Sequence, residues 1–171
     1  MKTKMMFGAV AICVALSGVS HAQQTNSGDQ HLRGTWLVKV YPHGLTAPLL
    51  GTDLNQFGCN GTEIAPTSMG DVGLPPGVTG DSTGTGTGTY ASTGKGKYQF
   101  TFYRLITANG VLSGYQRISG TIALSASGNE SVDHAQTDFY DLNWNVLFTA
   151  QTDAYGTRLP TPQAGDSSRC Q

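Results

Sequence analysis

From Lys97 to Arg158 the chain alternates in a period of two, and this pattern constrains the fold more than any single motif. "KYQFTFYRLI" sets Tyr98, Phe100, Phe102 and Arg104 on one face. "VLSGYQRISGTIAL" sets Leu112, Ile118, Ile122 and Leu124 on one face, with Tyr115 and Arg117 opposite. After "VDHAQTDFY", the stretch "VLFTAQTDAYGTRL" places Val146, Phe148, Ala150 and Ala154 on the same face as Arg158. That period belongs to strands. The breaks are turns, of which Asn109-Gly110 is the strongest hairpin signal. Upstream, "LRGTWLVKVY" opposes Trp36, Val38 and Val40 to Thr35, Leu37 and Lys39. Two shorter strands fit around "LLGTDLNQF" and "GTEIAP", followed by the Gly- and Pro-rich loop "SMGDVGLPPGVTG". A meander of about eight strands has two open edges, and closure on itself removes them. The expectation is an all-β chain, a single antiparallel up-and-down β-barrel, over residues 31–159.

The run "STGTGTGTY" has two readings. As a linker it would separate two compartments. As a strand it places Thr83, Thr85, Thr87 and Thr89 on one face and Gly84, Gly86, Gly88 and Tyr90 on the other. Linkers rarely alternate and then run directly into a strand, and glycine in a strand marks a bend or a close approach. The strand reading leaves a bare glycine face, which would make room inside a barrel. A phosphate loop is a poor third, because "TGKGKY" fits neither the spacing nor the helix that such a loop needs.

The ends carry an address. Lys2 and Lys4, an apolar stretch and then Ser20-His21-Ala22 follow the order of a secretory signal over residues 1–22. The apolar part is too short and too broken for a membrane span of about 20 residues. An exported protein, periplasmic or extracellular, is expected, with residues 23–30 as a flexible lead-in. The remaining chain of about 150 residues is of one-domain length. It has no basic cluster of the kind that attracts nucleic acid. Two cysteines remain beyond the signal, Cys59 and Cys170. In an oxidising compartment they are expected to pair, tying the polar tail 160–171 to the body; two free thiols are the alternative.

Two short motifs stand at opposite ends of the meander, "RGTWLV" and "YGTRL". With the signal and the strand pattern, they resemble the lipocalin-like, or calycin, group of small barrels. In that group a Gly-x-Trp opens the first strand and a late Arg packs across the indole. The resemblance matches Gly34 and Trp36 to the first element and Arg158 to the second, and implies a structural role for all three. The chain departs from true lipocalins in having no helical pattern after its last strand.

Three polar or aromatic groups could carry function. His134, Gln136, Asp138 and Tyr140 share one face of a strand. Turned inward, His134 and Asp138 would make an acid–base pair; turned outward, the face is solvated while Ala135, Thr137 and Phe139 point in, as half-exposed strands ordinarily do. Arg104 either faces the interior, where it needs a partner and could anchor an anionic head group, or escapes to water near the turn. Tyr90, Tyr98, Phe100, Phe102 and Phe148, with Trp36, either pack solid or wall a pocket. His31, His43 and His134 are scattered, so neither a metal site nor any other cofactor is expected.

The leading expectation is non-catalytic binding of a small, largely apolar molecule in the lumen, through Tyr90, Tyr98, Phe100, Phe102, Arg104 and Phe148. One alternative is a cyclase or isomerase resembling the allene oxide cyclase barrels, using lumen polar groups. The other is a solid barrel with a structural or inhibitory role, acting through the loop Ser68 to Gly80. Mass mapping of non-reduced peptides should find Cys59 joined to Cys170; two alkylatable thiols would refute the bridge.

Overall fold

The computed structural model describes residues 31–58, 62–65 and 74–160. The signal segment, both Cys59 and Cys170, and the tail beyond residue 160 lie outside the described residues. Nine strands follow one another without a helix among the described residues: β1 (Gly34–Pro42), β2 (Gly51–Phe57), β3 (Thr62–Ala65), β4 (Ser82–Thr83), β5 (Gly86–Gly94), β6 (Lys97–Ala108), β7 (Val111–Leu124), β8 (Glu130–Tyr140) and β9 (Val146–Arg158).

All pairings are antiparallel. Each of β1, β2, β3, β5, β6, β7, β8 and β9 pairs with the next, and β9 returns to β1 along seven residue pairs, from Trp36 opposite Arg158 to Pro42 opposite Thr152. The up-and-down barrel of about eight strands is therefore what the chain forms. Among the described residues β2 with β3 holds two residue pairs.

The Thr/Gly run is a strand with a break in it. β4 and β5 both lie along β6, and the ladder skips between Thr83, opposite Ile106, and Thr87, opposite Tyr103. Four steps on one strand match three on the other, so Gly84-Thr85 holds one extra residue, as in a bulge. The glycine face does point inward, but it does not empty the lumen. A Cβ on Gly86 would stand 2.8 Å from Phe102 Cδ2 and 3.1 Å from Arg104 Cγ. The space left by the missing side chain is taken by Phe102 and Arg104, which lie down on β5. The expectation of free room beside the glycines is corrected accordingly.

Bulges also reverse two expected faces. Ser113 is an extra residue between Leu112, opposite Thr107, and Gly114, opposite Ile106. Beyond it the side-chain parity flips, so Leu112 is exposed while Ile122 stays buried. Leu147 is likewise extra between Val146, opposite Tyr140, and Phe148, opposite Phe139. Val146 therefore leaves the inner face, and is 57% exposed.

One end of the barrel is closed by packing. Trp36, Leu32 and Tyr98 are fully buried there, and Phe57, Tyr90 and Tyr98 meet edge to face at 5.3 and 6.0 Å between ring centres. Trp36 donates its indole N–H to the Leu32 carbonyl at 2.8 Å. The Arg158 guanidinium lies 4.5 Å from the Trp36 ring centre and donates to the carbonyls of Gly128, Arg33 and His31. A Cβ on Gly34 would stand 3.1 Å from Arg158 Nη1, so the small residue belongs to the same arrangement.

Gly86→Val should force Phe102 and Arg104 off β5 and lower stability by about 1–3 kcal/mol. Thr87→Val, on the exposed face, should stay within about 0.5 kcal/mol. Equal melting of the two variants in denaturant would contradict the inward placement of Gly86.

Candidate functional site

At the other end, the inner faces of the strands do not meet. They enclose a cavity of about 490 Å³, inside the range of about 300–1,000 Å³ typical of small-molecule sites. Val38 and Val40 come from β1, Phe100 and Phe102 from β6, Ile118 and Ile122 from β7, Ala135 and Phe139 from β8, and Phe148, Ala150 and Ala154 from β9. All of these face inward because they share the parity of their strands. Leu74, Pro75 and Pro76 also border the cavity. They are the described end of the loop expected to bind partners, and a Cβ on Gly80 would meet both Leu74 and Ile106, within 2.6 Å of each.

Polar groups are few and convergent. Arg104 is buried and faces in, and its Nη2 lies 3.0 Å from Asp53 Oδ1 of β2. Its charge is met from inside the protein, so an anionic ligand is not required to balance it. Asp53 and Asn55 reach the lumen through the alternation Gly51, Asp53, Asn55 and Phe57, all buried. The sequence reading passed over them, although their phase with Phe57 marks them as inward.

Asp133 is a further inward polar group that the sequence expectations did not include. It sits on β8 between Ile122 of β7 and Ala154 of β9. Burial pushes its carboxyl up to about 7, against a smaller opposing pull from the Ser131 hydroxyl hydrogen bond and the nearby His134. Its Oδ1 has no hydrogen-bond partner among the described residues, and the residue borders the cavity.

The expected ligand-binding residues divide. Phe100, Phe102, Arg104 and Phe148 line the cavity. Tyr90 and Tyr98 do not: they belong to the packed end, where Tyr90 donates its hydroxyl to the Gly58 carbonyl at 2.7 Å.

His134 and Asp138 do not form an acid–base pair in the lumen. Their strand partners Ala135, Thr137 and Phe139 are the buried inner face, which puts both on the outer wall. Asp138 nevertheless is covered, by side chains of its cross-strand neighbours and of Gln136 on its own strand. Arg117 donates to it at 2.6 Å, Thr149 at 2.8 Å and Gln136 at 2.8 Å. Burial alone would raise its carboxyl, but these donors outweigh that and hold it below its ordinary value. It is a clasp across β7, β8 and β9. His134 turns instead to Asp153, at 2.7 Å, and His43 reaches the same oxygen at 2.9 Å. The scattered histidines of the sequence thus meet in part, although His134 has no direct route to the cavity through the wall.

Comparison with known protein families, with curated proteins and with solved structures found no match to this chain.

Asp133 is held neutral more strongly in the folded chain than in the unfolded one. Between the ordinary carboxyl value of 3.8 and about 7, unfolding releases protons, so this group's contribution to stability falls as pH rises through that window and is flat above it. Asp133→Asn should abolish that fall, gaining on the wild type between pH 4.5 and pH 8 by up to about 3 kcal/mol. Urea unfolding of both proteins at the two pH values is the measurement; parallel pH profiles would refute the burial of the Asp133 carboxyl.

Proposed function

We propose that the protein binds a small, largely apolar and uncharged molecule inside the barrel, without transforming it. The observation that carries this reading is the cavity: about 490 Å³, walled largely by aliphatic and phenyl side chains, with the one cation among the described residues that line it paired to Asp53. Burying apolar surface there contributes about 25 cal/mol per Å², and the few polar groups orient the ligand. Asp133 favours a hydrogen-bonding end on that ligand, since one carboxyl oxygen borders the cavity without a partner among the described residues. The lipocalin-like layout supports the same reading, because Gly34, Trp36 and Arg158 close one end while the other stays open to a guest.

A second reading rests on the same carboxyl. A group that titrates near neutrality inside an apolar cavity suits proton transfer. In a cyclase or isomerase built on this lumen, Asp133 would hold the proton, and His134 and Asp138 would take no part.

The test uses phenylnaphthylamine, an apolar fluorophore with one N–H donor. The folded chain should enhance and blue-shift its emission with one-site saturation. Ala150→Trp, which fills the cavity from β9, should weaken uptake at least about ten-fold, the effect of losing roughly 1.4 kcal/mol. Leu105→Trp on the exposed face of β6 should leave uptake unchanged. Absence of enhancement, or equal uptake by the two variants, would overturn the proposal.

A further inference from the structure

Outside the barrel, close to the mouth, three side chains converge that the ligand-binding reading does not use. His134 and Asp153 are opposite one another on β8 and β9, and Asp153 is opposite Tyr41 on β1. Their neighbours Ala135 and Ala154 border the cavity, so His134 and Asp153 point away from it. His43 comes from the turn that ends β1. There the Leu45 N–H donates to the Pro42 carbonyl at 3.0 Å, and Gly44 takes a φ of +72°. Glycine at that turn position turns its own N–H onto Asp153 Oδ2, at 2.8 Å.

The result is a carboxylate oriented from behind and approached from the front. Asp153 Oδ1 receives Nδ1 of His43 at 2.9 Å and Nδ1 of His134 at 2.7 Å, and one ligand atom from each of the three residues lies within 4.8 Å of the others. The carboxyl is driven well below its ordinary value, first by the Gly44 N–H and then by the two imidazoles, so it is fully ionised. The carboxylate side chain is 9% exposed and the two histidines 62–63%, so the open side of the group faces solvent.

Two imidazole nitrogens and a carboxylate oxygen form the donor set of open transition-metal sites, in which three protein ligands leave positions for water. Magnesium and calcium prefer all-oxygen surroundings. Ligand atoms about 2.0–2.2 Å from a zinc ion stand somewhat over 3 Å apart. The two nitrogen–oxygen spacings, 2.7 and 2.9 Å, are roughly half an ångström shorter, and the whole donor set lies within 4.8 Å, so rotations of the two exposed rings can bring the three atoms to ligand spacing. The Gly44 N–H supplies the outer contact that fixes a ligating carboxylate. We propose that His43, His134 and Asp153 bind a divalent transition-metal ion, of the zinc class, on the outer wall of the barrel. Pro42 and Thr152, next in sequence to His43 and Asp153, border the cavity. The ion therefore joins the β1 turn to β8 and β9 at the rim of the mouth.

The test is calorimetric titration of Zn²⁺ into the untagged, chelator-treated full chain, with Co²⁺ absorption as the second probe. One ion per chain is expected, with visible Co²⁺ bands of low symmetry and a rise in Tm on Zn²⁺ addition. His43→Ala and Asp153→Asn should each weaken binding at least about ten-fold and abolish the Tm rise, whereas His31→Ala should change neither. His43 lies in an exposed turn, so its variant keeps the fold and remains decisive if Asp153→Asn does not fold. Absence of binding to the wild type, or binding unaffected by His43→Ala, would overturn the proposal and leave Asp153 as a hydrogen-bond acceptor only. The outcome is independent of phenylnaphthylamine uptake, which reads the other side of the wall.

Discussion

The barrel exists because its last strand returns to its first, and the contact between Trp36 and Arg158 secures that return. Every other seam joins strands that are next, or next but one, along the chain. The β9 to β1 seam joins segments more than a hundred residues apart: the Arg158 bond to the Arg33 carbonyl spans 125. Bringing such distant segments together has an entropic cost that local hairpins avoid. A cation over an indole contributes about 0.5–2 kcal/mol, and each hydrogen bond from a charged donor about 1.5–3 kcal/mol. Arg158 makes three of the latter, to carbonyls on the β8 side and on the segment before β1. One side chain therefore ties both termini of the meander, and it does so where the packed end needs a plug.

With that end sealed, the rest of the interior follows from the supply of side-chain volume. Trp36, Tyr98, Tyr90 and Phe57 fill the sealed end, while β8 and β9 place the small Ala135, Ala150 and Ala154 among the residues lining the other. Small residues there leave a space that Phe100, Phe102 and Phe148 border but do not occupy. Glycine plays a different part. Gly86 lets Phe102 and Arg104 settle onto β5, which holds the guanidinium at the wall and within 3.0 Å of Asp53. A buried ion pair contributes little net stability over an apolar pair of the same shape, so the pair is better understood as keeping the lumen neutral than as holding the barrel together.

Where the period of two is unbroken, the sequence states which face is inside: Trp36, Val38, Tyr98, Phe100, Phe102 and Arg104 all point as their alternation requires. Where a bulge intervenes it does not. Leu112 and Val146 have the parity of core residues and lie outside, because Ser113 and Leu147 each add one residue that nothing in the local composition announces. Asp53, Asn55 and Asp133 were legible in principle. Their phase with Phe57, and with Ala135 and Phe139, puts them inside, but polar residues draw the eye outward.

The outer histidine cluster was not legible, for a reason that sets its chemistry apart from that of the lumen. Cavity residues are placed by strand parity, a local property repeated many times. His43 and Asp153 are 110 residues apart in the chain and meet only because β1 is laid against β9. His134 and Asp153 meet only because the β8 to β9 register puts them opposite. Register is fixed by the whole inner face, since a slip of one residue would send Ala135 and Ala154 outward and His134 inward. The same packing that forms the cavity thus aligns the three donor atoms on the far side of the wall. His43 and Asp153 lie at the end of the closing seam opposite Trp36, so their spacing depends on the pairing of β1 with β9.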